Sequence, residues 1–158
     1  MKCVPILLAA MALALPGGAA GQDDRAQSPE GSARHTLFVE AEREQSLRAA
    51  LEAAYRRPLD AFGDAPDDPS PLLYTVAAQH QAWLAFRGSD CQLAGMLTGA
   101  GGAWPQVHGL VCSNDLLAER IAVLDAAAAC LQQLPAERYP SDEQACLQPL
   151  VDRTPAAP

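Results

Sequence analysis

Four cysteines, at positions 91, 112, 130 and 146, constrain this chain more than any other feature. Each falls in or beside a run of helical periodicity, so spacing translates into geometry. Cys112 and Cys130 flank one predicted helix of about 18 residues, roughly 27 Å at 1.5 Å per residue. Bridged Cα atoms lie within about 7 Å of each other, so these two cannot pair. In an antiparallel hairpin the end of the second helix meets the start of the third, which brings Cys91 beside Cys112. Cys130 then meets Cys146 across a Pro-rich turn. Each bond is expected to stabilise the fold by ~3 kcal/mol. A zinc site fits poorly: there is no Cys-x-x-Cys pair, and His35, His80 and His108 lack ligand spacing.

Disulfides need an oxidising compartment, and the amino terminus points to one. Met1-Lys2 is a short positive start, followed by the apolar run "CVPILLAAMALAL" and the small, turn-prone "PGGAAGQDD". That order reads as a secretory signal peptide over residues 1–21, cleaved near Ala20 or Gly21. The apolar run is shorter than the ~20 residues a spanning helix needs, so no stable membrane insertion is expected after cleavage. Cys3 precedes the apolar run and is removed with it, which excludes it as a lipidated cysteine. A composition rich in Ala, Leu and Arg suggests a bacterial periplasm, with full secretion as the other destination.

The formal charge is −8, and loss of the signal peptide removes Lys2 but no acid. Nucleic acid and anionic membrane surfaces demand positive charge and are disfavoured as partners. A basic protein partner is favoured, set against the plainer reading that acidity serves solubility.

The rest reads as one domain over 36–150, between a polar leader over 22–35 and a frayed tail over 151–158. "TLFVEAEREQSLRAALEAAYRR" places Leu37, Ala41, Leu47, Leu51 and Tyr55 on one helical stripe, which Pro58 ends. A connection dense in Pro, Asp and Gly follows. Ser70 then caps a second helix with Pro71 in its first position. Leu73, Val76, His80, Trp83, Arg87, Cys91 and Ala94 share one of its faces. "TGAGGAWPQVHGLV" reads as a loop because four glycines and Pro105 crowd into it. A third helix starts near Ser113, with Leu117, Ile121, Leu124 and Ala128 inward. A short fourth opens with the capping box "SDEQ", Ser141 to Gln144. Strand signals are almost absent. The expected fold is all-α, a small antiparallel helical hairpin bundle of about four helices stapled by two disulfides.

Across Leu51 to Leu124 the chain carries Gln81, Trp83, the pair Phe86-Arg87, Cys91, the loop through Gly101-Gly102, Cys112, and Leu116 with Arg120. Tyr55 lies upstream in a Leu-x-x-x-Tyr helix. These positions resemble the small exported bacterial proteins of the LprI-type lysozyme-inhibitor-like family. Two departures stand out: Gly88 occupies a position where that family commonly has Asp, and an amino-terminal cysteine pair is missing. The resemblance implies a helical scaffold in which Tyr55, Gln81, Trp83, Phe86, Arg87, Asp90 and Arg120 are structural. Arg87 would pack its stem on Trp83 and place its head on Asp90 or on Glu119. The functional alternative is that Arg87 meets a carboxylate of a partner.

Catalysis has little support in the residues. No GxSxG, HExxH or phosphate-binding loop occurs, and "GAGGAW" lacks both the last glycine and the preceding strand of a dinucleotide fingerprint. Asp64, Asp67 and Asp68 sit in a polar connection with nothing apolar to raise their pKa. His80 reads as a core or boundary residue. We therefore expect no enzyme activity, no cofactor and no metal. Binding is better supported: a loop closed by Cys91–Cys112 would present Trp104, Gln106 and His108 on a constrained scaffold, with Asp67 and Asp68 as acidic contacts for a basic partner. Trp104 either projects as an anchor or folds back over the seam between the second and third helices. The expected function, implied by the resemblance, is a periplasmic lysozyme inhibitor that occludes the enzyme's cleft. The alternative is a small envelope protein binding another cell-wall or periplasmic partner.

Overall fold

The computed structural model describes residues 27–62, 71–137 and 139–151. The expected signal peptide over 1–21, the expected cap residue Ser70, Asp67, Asp68 and the expected tail beyond 151 lie outside them. Four α-helices follow one another: α1 (Ala33–Ala61), α2 (Pro71–Leu97), α3 (Trp104–Gln133) and α4 (Pro140–Leu147). A 3-10 turn over Gln148–Leu150 continues α4, and the described residues contain no strand.

The sequence of α3 explains why it is the central element. Val107, Leu110, Asn114, Leu117, Ile121, Leu124, Ala128 and Leu131 recur at alternating spacings of three and four, the seam of a helix packed along its length. Leu117, Leu124 and Leu131 are almost wholly withdrawn from solvent. Ser113, Arg120 and Ala127 form a second buried row beside them. One helix with two covered rows needs two partners, and α1 and α2 both pack against it.

Cross-helix pairs give the directions. Arg43 reaches Asp115 at 3.4 Å and Arg57 pairs with Asp125, so α1 and α3 run parallel. Tyr55 stacks on His80, while the Glu44 region of α1 faces Arg87, so α2 is antiparallel to α1. The bundle is therefore up–down–up. α4 and its 3-10 turn lie against the carboxyl-terminal part of α3.

Both disulfides pair as the helical spacing requires. Cys91 bonds Cys112 and Cys130 bonds Cys146, each with Cα atoms 5.5 Å apart. The first bond clasps α2 to α3, and two glycines let the backbones meet there. A Cβ on Gly95 would overlap the Pro105 carbonyl oxygen, and one on Gly109 would lie 3.0 Å from the Cys91 carbonyl oxygen.

Several boundaries differ from expectation. α1 begins at Ala33, inside the expected leader, because the Ser32 hydroxyl accepts from the His35 backbone N–H at 3.2 Å. Pro58 does not end α1: it lies buried in the last turn, and the helix runs three residues further. Its missing donor costs one bond near the terminus, where few bonds remain to lose. α3 starts at Trp104, not near Ser113, with Pro105 in the first turn where its fixed φ suits a helix. The connection from α2 shrinks to residues 98–103, turned by Gly99 (φ 65°) and Gly102 (φ 64°). α4 opens at Pro140, so Ser141 is not its cap; instead the Asp142 carboxylate accepts from the Tyr139 backbone N–H at 3.2 Å.

Candidate functional site

Two features of the bundle carry unusual chemistry: a stack of rings and guanidinium groups in its interior, and the end clasped by Cys91–Cys112.

The interior stack uses the motif residues of α1, α2 and α3. The Tyr55 ring lies 4.0 Å from that of His80, nearly parallel to it. Trp83 is flanked by two cations, with Arg120 5.3 Å and Arg87 5.9 Å from its ring centroid. An indole between guanidinium groups gains ~0.5–2 kcal/mol from each as water is excluded. Arg120 is further fixed by hydrogen bonds: it donates to the Leu150 carbonyl oxygen at 3.0 Å and to Gln79 Oε1. Gln79 in turn donates to the same carbonyl at 3.1 Å. This bracket ties α2, α3 and the carboxyl-terminal turn together.

His80 is buried, as its place on the stripe suggested, but it is held by stacking, since its Nδ1 has no hydrogen-bond partner. Burial, and then the charge of Arg120, pull its pKa below 6.5. Burial, followed by the charge of Glu52, raises the Tyr55 phenol above its usual value. Both rings are therefore neutral at pH 7.

Arg87 is placed differently from expectation. Its guanidinium head lies over Trp83, and among the described residues neither Asp90 nor Glu119 forms an ion pair with it. α1 supplies its electrostatic surroundings instead. Burial, and then the like charge of Arg48, lower its pKa, while Glu44 opposes them. Asp90 and Gln81 are both exposed, and Phe86 is 40% exposed.

At the clasped end, α2 finishes with Leu93, Met96 and Leu97, spaced to share one face and 57%, 67% and 75% exposed. Trp104, half-exposed, opens α3 across the short connection. Its ring sits 6.0 Å from that of His108, one turn on. Gln106 is exposed as well. The three residues expected on a loop thus stand on the first turns of a helix, a stiffer platform than a loop, with Trp104 and His108 sharing a face and Gln106 on another. Beside this end a groove of about 500 Å³ opens between α1, α2 and α3, with Arg48, Arg87, Met96 and Gln106 among its walls.

Asn114 was not singled out by sequence, and Arg120 was named without its partners Gln79 and Leu150. Asn114, fully buried, donates to the Glu40 backbone oxygen at 3.0 Å and to its carboxylate at 2.8 Å. Its place in the three–four seam of α3 is the signal that could have found it. The Arg120 bracket carries no such signal, because its acceptor is a backbone oxygen thirty residues away.

No group of three or more His, Cys, Asp or Glu side chains that could hold a metal occurs among the described residues, and none of their helices is long and apolar enough to cross a membrane. No family model, curated protein or solved structure matches the chain.

Proposed function

We propose that this chain is an exported protein-binding module of the bacterial cell envelope, acting on a basic lysozyme by occluding its substrate cleft. The observation that carries this reading is the cluster of large apolar side chains left in water at the clasped end: Leu93, Met96, Leu97 and Trp104. Exposed apolar groups gathered at one place mark an interaction surface more often than they occur by chance. Trp is a frequent anchor residue of protein interfaces, and the disulfide limits the ordering entropy lost on docking.

Charge complementarity selects the partner class. A chain of net charge −8 is drawn toward a strongly basic protein, and apolar contacts then hold the encounter. The resemblance to lysozyme-inhibitor-like proteins names lysozyme within that class. Cleft occlusion needs no reactive side chain, so the proposed activity involves no chemistry on substrate.

The test is the rate of cell-wall lysis by a basic c-type lysozyme with and without the purified oxidised protein. Lysis should slow at micromolar protein, and less so as salt screens the attraction. Undiminished lysis at micromolar excess in low salt rejects the lysozyme reading.

A further inference from the structure

The groove beside the clasped end is walled in part by a buried guanidinium, that of Arg87, whose contact with the Trp83 ring leaves hydrogen-bond donors unpaired. Its volume, about 500 Å³, falls within the ~300–1,000 Å³ typical of small-molecule sites. Its walls are of two kinds. Leu37 of α1, Leu110 of α3, and Met96 with Pro105 at the clasped end supply apolar surface. Toward α1 lie Arg48, Arg87, Glu44 and Ser113.

The polar groups do not balance. Glu44 is already engaged: Arg48 donates to its Oε1 at 2.9 Å and the Ser113 hydroxyl donates to the same atom at 3.2 Å. Arg87 has 6% of its surface exposed, and its Nε and Nη1 lack any hydrogen-bond partner. Two guanidinium groups thus share one carboxylate, leaving a positive charge at the groove in a protein whose overall charge is −8. Burying a cation with open donors is costly unless an anion comes to meet it.

We propose that this groove binds a small organic carboxylate bearing an aliphatic chain, with the anionic head between Arg87 and Arg48 and the chain along Leu37, Leu110 and Met96. A carboxylate matches the fork of a guanidinium, and bonds between charged partners are about twice as strong as neutral ones. The apolar walls reward a chain and give nothing to a bare inorganic anion. This site does not depend on the lysozyme reading, and its test involves no second protein.

Octanoate is titrated calorimetrically into the oxidised protein, with octanol and octylammonium as probes of equal chain length. Octanoate should bind with one-to-one stoichiometry, and the neutral and cationic probes at least about tenfold more weakly. Arg87→Gln removes a buried group and can unfold the protein, so two variants at the rim decide the matter. Arg48→Gln alters a side chain that is 60% exposed and should weaken octanoate about tenfold. Gly88→Asp adds an acid to the groove wall where a Cβ meets nothing within 4 Å, and should weaken octanoate at least as much by repulsion. Circular dichroism checks that both variants keep the wild-type helix content. Equal binding of octanol, unchanged affinity in both variants, or no binding at millimolar octanoate would overturn the proposal.

Discussion

Arg120, at the middle of α3, donates to the carbonyl oxygen of Leu150 at 3.0 Å, so a buried guanidinium holds the last turn of the domain against its central helix. The same side chain bonds Gln79 of α2 and faces the Trp83 ring. The carboxyl-terminal turn is thus secured twice, by this bracket and by Cys130–Cys146.

Arg120→Leu should therefore destabilise the fold by about 3 kcal/mol, because it removes two charge-assisted bonds and leaves Gln79 Oε1 without its donor, while the Leu150 oxygen keeps only the bond from Gln79. Chemical denaturation measures it. A double-mutant cycle with Gln79→Ala should show a coupling of at least ~0.5 kcal/mol, as expected for bonded partners. A loss below ~0.5 kcal/mol for Arg120→Leu would show that the bracket contributes little.

Two glycines of α2 should respond in opposite ways to the same change. Gly88→Ala meets open space in mid-helix and should stabilise by ~0.5–1 kcal/mol through propensity alone. Gly95→Ala drives a methyl group into the Pro105 carbonyl and within 3.0 Å of the Gly109 nitrogen, so it should destabilise by ~1–3 kcal/mol. Thermal melts of the two variants side by side check the contrast. A stabilising Gly95→Ala would mean that α2 and α3 do not approach as described.

His80 should make stability depend on pH. Its pKa in the folded state is depressed below 6.5, first by burial and then by Arg120, so the unfolded chain binds the proton more readily. Stability is then fully present above pH 6.5 and falls as pH drops below it. Urea midpoints across pH 7.5 to 5 measure the slope, and His80→Phe, which keeps a ring against Tyr55, should flatten it. An unchanged slope in that variant would assign the dependence to other groups.

The disulfide pairing was legible because helical rise and a hairpin turn leave one arrangement within bonding distance. The start of α3 was not. Gly99, Gly101 and Gly102 do break the chain, yet Gly109 lies inside the helix, where its missing side chain admits the Cys91 carbonyl. Pro105 likewise opens a helix where it was read as stopping one. A glycine needed for close approach and one needed for a turn look alike until the neighbouring helix is in place. The stripe on α2 placed Arg87 inside correctly. Its surroundings depend on the rotation of α1, which brings Arg48 and Glu44 toward it in place of Asp90 or Glu119. Trp104, Gln106 and His108 lie on the first turns of a helix instead of a loop, with only Trp104 and His108 on a shared face.

Hydrogen–deuterium exchange of the oxidised protein, alone and with an excess of basic lysozyme, tests the proposed docking end most directly. Binding through Leu93, Met96, Leu97 and Trp104 should slow exchange in the last turns of α2, residues 98–103 and the first turns of α3. Unaltered exchange throughout, or slowing confined to α4 and the carboxyl-terminal part of α3, would contradict the account.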